Sequence, residues 1–442
     1  MNKVTKKRFL LGMLVIALAF GMTVVGCGGE EEDTGAFPTD GTLAEKLAWV
    51  LDDNNVQDGE TYTITVTADE AIATQILGYN NHSNITIVLK GSGAERKISL
   101  SSNGGLFMVA SGVTLVLDEN ITLQGKSDNT ASLVSVTGGT LTMNTGSKIS
   151  GNTSSGINSG GAVNVSRGTF TMNGGEISGN TSNTSSGSFG GAVSVGSNGT
   201  FTMSGGKISG NTGSGVSVNE SSATFTMSGG EISGNNALYG GGVYVSASGG
   251  TFTMSGGKIS GNTASSRGGG VTVYGSSGTF TMSGGEISGN TATANDNGYG
   301  GGVYVNSGTF TMNGGKISGN TATNTAGNGG YGGGVSCGTF TMNGGEISGN
   351  TASRGGGVNI GGLSEKFYIV TGTIYGSDAA ADKKNTAGDK GASLYSTSNN
   401  SIVERGTFSG TTWNKKGDIS LTIDSFHSYT NDTISVANGD LQ

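Results

Sequence analysis

Four carboxylates lie between Ala131 and Asn295, namely Glu176, Glu220, Glu231 and Glu286, and they are the side chains from which acid–base or cation chemistry would have to be built. Cleaving a glycosidic bond takes two carboxyl groups about 5–9.5 Å apart. A Ca²⁺ site takes several converging oxygens. Three of the four head the same pentapeptide, Glu-Ile-Ser-Gly-Asn, so Glu220 is the one acid outside a repeat. His82 and His427 are isolated near opposite ends of the chain. The glycine-rich stretches lack the regularly placed Asp of a Ca²⁺-binding nonapeptide, and there is no phosphate-loop motif. No catalytic set, metal site or cofactor is expected.

The repeats that absorb these acids define the architecture. The pentapeptide [Lys/Glu]-Ile-Ser-Gly-Asn occurs eight times, and its leading charge alternates throughout: Lys148, Glu176, Lys207, Glu231, Lys258, Glu286, Lys316, Glu346. Successive spacings of 28, 31, 24, 27, 28, 30 and 30 residues are those of a solenoid. If each unit is one coil of a parallel β-solenoid, equivalent residues stack about 4.8 Å apart. Like charges would then repel where opposite ones attract. Each exposed pair contributes only a few tenths of a kcal/mol, about 0.2–1, so the alternation reports geometry more than it supplies stability.

Each unit reads Gly-Thr-Phe-Thr-Met-[Ser/Asn]-Gly-Gly, the pentapeptide, a variable stretch, then Gly-Gly-[Gly/Ala]-Val-x-Val, which predicts three short strands separated by glycines. Side chains alternate across a strand, so Phe and Met of Thr-Phe-Thr-Met point inward. The predicted columns are Phe170, Phe201, Phe225, Phe252, Phe280, Phe310 and Phe340, opened by Leu141, beside methionines from Met143 to Met342. Eight of the 12 methionines fall in that column. A soft-metal stripe is the functional alternative, but thioethers packing against aromatic rings make a core. Cys337 takes an inward slot equivalent to Val245. Glycine at 86 of 442 residues, one proline and 12% charged residues exclude helical bundles. Disorder would not keep Phe, Met, Ile and Val in phase over eight units.

The N-terminus predicts a destination. Lys3, Lys6, Lys7 and Arg8 precede a nearly apolar run from Phe9 to Val25, closed by Val24-Val25-Gly26-Cys27. This resembles a bacterial lipoprotein signal peptide with its lipobox. The resemblance implies cleavage before Cys27 and lipidation of that cysteine, and Gly28, in place of an Asp, implies sorting to the outer membrane. A transmembrane anchor is the alternative, though the run is short for a span. Cleavage would remove four of the 23 basic side chains, leaving 19 against 31 acidic ones and a net charge of −12, so nucleic acid is not an expected partner.

These readings give an all-β chain, a right-handed parallel β-helix of about a dozen coils. Its parts are a signal peptide (1–26), a lipidated acidic tether (27–41), a capping helix and turn (42–60), degenerate early coils (61–139), regular repeats (140–360), and an irregular last coil with a C-terminal β cap (361–442). Handedness rests on the closing Asn of each pentapeptide, Asn152 to Asn350, which resembles the internal asparagine ladders of right-handed β-helices. The Gly-Gly-Ala-Val at Gly160 and Gly190, with Ile-x-x-Asn, resembles the GGAI and FxxN repeats of chlamydial polymorphic outer-membrane proteins and related spirochaete surface repeats. Here Ile replaces the Phe, and no autotransporter barrel segment closes the chain. Taken with the lipobox, the resemblance implies a surface or outer-membrane protein held by lipid in place of a barrel, one that displays and binds, like an adhesin, with the periplasmic face as the alternative location.

Variable stretches Ser182 to Phe189, Asn236 to Tyr239, Thr291 to Tyr299 and Thr321 to Tyr331 each end in an aromatic before the glycines. Phe189, Tyr239, Tyr299 and Tyr331, with outward Tyr244, Tyr274 and Tyr304, are the expected binding edge for an extracellular glycan or protein. Two alternatives stand beside it. A polysaccharide lyase or hydrolase would use Glu220. The Thr-x-Thr ranks from Thr169/Thr171 to Thr339/Thr341 resemble ice-binding solenoids and imply binding to ice or crystalline polysaccharide.

Overall fold

Short β-branched and aromatic segments separated by glycine cannot bury an apolar face alone, and in this protein they do so by stacking on their own copies. The computed structural model describes residues 37–442 except 157–159, 183–190, 221, 247–248, 297, 327–328, 362–365, 397–401, 410–411, 419–421, 424–427 and 438–439. The signal peptide, Cys27 and most of the tether therefore lie outside the described residues. The fold is a parallel β-solenoid. One face is a sheet whose first twelve strands run parallel in chain order, one per turn, from Glu70–Ile72 to Gly372–Ile374. The Val-x-Val and Thr-Phe-Thr-Met segments share a second, 26-stranded sheet, and in two turns they run as one strand, Val303–Met312 and Val335–Met342.

Register is in phase from turn to turn. Phe170, Phe201, Phe225, Phe252, Phe280, Phe310 and Phe340 stack with centroids 4.6–4.9 Å apart and planes within 8°. Phe367 extends the stack at 4.7 Å, so the last coil, expected to be irregular, continues the same column. The eight methionines are fully buried beside them. From Met172 to Met342 each side chain reaches the next turn, where a glycine must receive it: at Gly257, with φ +79°, a Cβ would lie 2.7 Å from the Met227 methyl carbon. A side chain there is opposed both by backbone conformation and by that methyl.

Buried asparagines form a second spine. The Asn262 backbone N–H and Nδ2 both donate to Asn290 Oδ1, at 2.9 and 3.0 Å, while Nδ2 also reaches the Ile232 carbonyl at 2.9 Å. The pattern repeats from Asn180 to Asn350 and ends on Asn385; at the other end Asn129 Nδ2 donates to Asn152 Oδ1 at 2.8 Å. Burial without these bonds would be unfavourable for every amide.

The charge ladder lies in register on the first sheet. Ion pairs within 4.0 Å form from each Lys to the Glu of the next turn: Lys148–Glu176 3.5 Å, Lys207–Glu231 4.0 Å, Lys258–Glu286 3.8 Å and Lys316–Glu346 3.3 Å. Among the described residues none spans a Glu-to-Lys step. A hydrogen bond from Ser178, opposed by burial and aided by Lys148, holds the Glu176 carboxyl below its ordinary range.

The ends are closed as the chain order requires. Thr42 caps the helix Leu43–Val50 with a reciprocal Glu45 capping box, and Leu43, Leu47 and Val50 are buried. Glu70, at the start of the first strand of its sheet, accepts from the Leu43 N–H at 2.8 Å. The early coils 61–139 stack in the same manner, and Glu70–Ile72 and Gln75–Leu77 are additional strands there that the sequence did not suggest. At the C-terminal end pairing turns antiparallel: Ile434–Ala437 on Gly372–Ile374, and Ser428–Thr430 on Leu394–Ser396. Antiparallel strands end the stack because they offer no in-register copy for a further turn.

Asn290→Ala should lower the thermal midpoint, a loss of about 3–5 kcal/mol since several buried partners lose their bonds together. It should also accelerate amide exchange at Asn262, and an unchanged midpoint would remove the spine from the account. Glu286→Lys places three lysines in successive turns; a destabilisation of about 1 kcal/mol or less that shrinks in 1 M salt is expected. Acidification below the ordinary glutamate range should destabilise wild type, because the depressed Glu176 carboxyl contributes stability at higher pH and loses it as it protonates.

Candidate functional site

The variable stretches, expected to be loops, contain a fourth short strand per turn. Asn236–Tyr239, Thr263–Arg267, Thr291–Ala294, Thr321–Asn324, Thr351–Arg354 and Thr386–Lys390 form a separate six-stranded parallel sheet. A buried alanine such as Ala264, Ala292 or Ala322 anchors most of these strands, which is why the stretch pairs despite its polar composition. Beyond the strands the chain lengths differ, and the residue just before the glycines is brought back into register.

That residue forms a continuous rank. Tyr239 pairs with Arg267, Arg267 with Tyr299, Tyr299 with Tyr331, Tyr331 with Arg354 and Arg354 with Lys390. The predicted aromatic edge is therefore an aromatic and cationic one, and the arginines are the functional candidates that sequence reasoning missed. Their signal was present in Ser-Arg-Gly-Gly-Gly at Arg267 and Arg354, in the slot that Tyr fills elsewhere. Beside it runs a second rank from the Val-x-Val strands, carrying Tyr244, Thr272, Tyr304, Ser336, Asn359 and Tyr395.

The two ranks interlock. Arg267 places its guanidinium 5.5 Å from the Tyr299 ring centre and 5.3 Å from that of Tyr304. Tyr299 stacks on Tyr331 at 5.1 Å, planes 10° apart. Arg354 donates to Tyr331 Oη at 2.8 Å and pairs with Asp389 at 3.3 Å. Cation–π contacts of this kind contribute about 0.5–1 kcal/mol at exposed positions, and here they also hold long side chains in place. Burial, with Tyr331 adding to it, pushes the Tyr299 phenol above its ordinary range, so it stays a neutral hydroxyl at physiological pH.

Two grooves open on this edge. One, of about 660 Å³, is lined by Leu238, Ser265, Arg267, Asn295, Asp296 and Tyr299. The other, of about 270 Å³, is lined by Arg267, Tyr304, Asn306, Ser336 and Asn359 among others. Ring faces, a guanidinium and amides around open grooves suit noncovalent recognition of a ligand with apolar faces and polar edges.

Tyr239, Tyr274, Tyr299, Tyr304 and Tyr331 are partly exposed along the edge, and Tyr239 packs on Tyr274 at 5.8 Å. Tyr244 is a correction: although its strand position points outward, it is 1% exposed, in contact with Tyr239. Burial raises its phenol above the ordinary range. Phe189 lies outside the described residues, as does His427. His82 bonds Asp58 and the Asp53 carbonyl, both at 3.0 Å, and so ties an early coil to the turn after the helix. Glu220 sits in the turn after Ser214–Val218 and belongs to neither groove. Cys337 is buried between Val305 and Ile360 in the valine column. The Thr-x-Thr ranks are in register, with Thr200–Thr224 and Thr251–Thr279 hydroxyls bonded at 3.3 Å. Among the described residues no group of three His, Cys, Asp or Glu could hold a metal ion, and no helix is long and apolar enough to cross a membrane.

No known family model matches this chain, and no curated protein or solved structure is significantly similar to it.

Replacing Tyr244 by Ala should cost about 3–5 kcal/mol, as for a fully buried aromatic. Tyr304→Ala, half-exposed, should cost less than about 1.5 kcal/mol. Equal thermal midpoints for the two variants would contradict the different burial of these rings.

Proposed function

We propose that this protein is a lipid-anchored binding protein of the bacterial cell surface, acting by display and recognition rather than catalysis, with the tyrosine and arginine edge as its ligand face. The observation that carries the reading is the rank Tyr239, Arg267, Tyr299, Tyr331, Arg354. Five turns with stretches of different length deliver rings and guanidinium groups to one line, beside open grooves. Core packing does not require these side chains, since the Phe, Met, Ile and Val columns already fill the interior. Partly exposed aromatics on a rigid scaffold are costly to keep unless something meets them. A glycan or an extracellular protein is the class of ligand that offers both apolar faces and hydrogen-bonding edges.

The anchor is inferred from Cys27 and the run before it. A single acyl chain binds a membrane only marginally and stable attachment takes two, which the diacylglycerol of a lipoprotein would supply. The acidic segment Glu30-Glu31-Glu32-Asp33 would then hold the solenoid off an anionic surface.

Protease applied to intact cells should remove the wild-type protein while a periplasmic control protein survives, and mass spectrometry of the membrane-bound protein should find a chain that begins at Cys27 with diacylglycerol on its sulfur. Protection until the outer membrane is broken would refute the surface location. A mature chain that keeps residues 1–26, or carries no lipid on Cys27, would refute the lipid anchor.

A further inference from the structure

The smaller groove carries more chemical information than a general binding edge. Arg354 is held by Asp389 at 3.3 Å. Arg267 differs: among the described residues no carboxylate lies within 4.0 Å of it, and its recorded contacts are the faces of Tyr299 and Tyr304. Asp296 lines the neighbouring groove but stays beyond ion-pair distance. A guanidinium packed against two neighbouring rings, whose centres are 6.2 Å apart, is partly desolvated and retains donors at its edge, which can bind a carboxylate through two parallel hydrogen bonds.

A second observation is independent of the first. Asn359 also lines this groove and is 1% exposed; its Nδ2 donates to Ser336 Oγ at 2.9 Å, while its Oδ1 has no donor in the structure. Buried acceptors are rarely left so. A carboxylate cannot satisfy this oxygen, since it too only accepts. The occupant must bring both an anion for Arg267 and a hydroxyl for Asn359.

We propose that the notch between Arg267, Tyr304 and Asn359 is a subsite for one acidic sugar residue, a uronic acid or its equivalent. Its carboxylate pairs with Arg267, its apolar ring face lies on Tyr304, and a ring hydroxyl donates to Asn359 Oδ1. The volume of about 270 Å³ lies just below the range of drug-sized pockets, about 300–1,000 Å³. Because Arg267 and Tyr299 line both grooves, neighbouring sugars of the same glycan continue into the larger one. With a net chain charge of −8, the attraction for an acidic ligand is local to this arginine. This proposal rests on the reading of the edge as a ligand face.

The test uses the full chain in detergent, titrated calorimetrically with tetragalacturonate, its methyl ester and hexa-aspartate. Tetragalacturonate should bind, with at least tenfold weaker binding for the ester and for Arg267→Gln, and a change within twofold for Lys258→Gln, which removes a positive charge from the charge ladder outside both grooves. Equal binding of acid and ester, no effect of Arg267→Gln, or equal binding of hexa-aspartate each overturns the acidic-sugar assignment. So does the absence of binding by all three. If a neutral glycan or a protein binds instead and is lost in Tyr299→Ser with Tyr331→Ser, the ligand face survives while the subsite falls. If those replacements change nothing, the face falls with it.

Discussion

Every side chain in the repeats must tolerate a near copy of itself one strand spacing away, and the rest of the structure follows from that constraint. Parallel pairing brings Phe onto Phe, Asn onto Asn and charge onto charge one strand spacing apart, with the phenylalanine rings at 4.6–4.9 Å. Rings accept such neighbours when offset. Amides accept them because each has both donors and an acceptor, so a column of identical asparagines closes its own hydrogen bonds. Charges do not accept them, and the alternation of Lys and Glu is the remedy. The constraint thus sorts residue types by whether self-contact is favourable, and the sequence repeats are its record.

That sorting explains how much could be read in advance. The Phe, Met, Ile and Val columns, the charge register and the asparagine spine were legible because each depends on one side chain meeting its own kind at a fixed phase. The extension of the spine to Asn129 and Asn385 was hidden by the loss of the flanking Ile-Ser-Gly, although an Asn-Thr pair remains at both places. The fourth strand was hidden for a different reason. Its apolar signal is a single alanine, and Thr-Ala-x-x reads as loop until the backbone on either side is known to be paired.

The candidate edge was half legible. Tyr before glycine marks a position, but a search for aromatics alone passes over Arg267 and Arg354, which share that position without sharing its chemistry. Tyr244 shows the opposite limit. Alternation assigned its direction correctly, but burial outside the core depends on what other segments lay over it, here Tyr239, itself packed on Tyr274 of the next turn. One-strand periodicity carries no information about that cover. The proposed acidic ligand was not legible at all, because the proposal rests on an arginine with no carboxylate within 4.0 Å among the described residues and on one unsatisfied amide oxygen, placed by different strands.

The charge ladder also bears on how such a chain can change its length through copying errors. Gaining or losing a single turn sets Lys beside Lys or Glu beside Glu at the junction, whereas gaining or losing two turns restores the alternation. The repeat that can be added without electrostatic conflict is therefore the pair. Copy number in this architecture should move by even steps, with the period of inheritance twice the period of the fold.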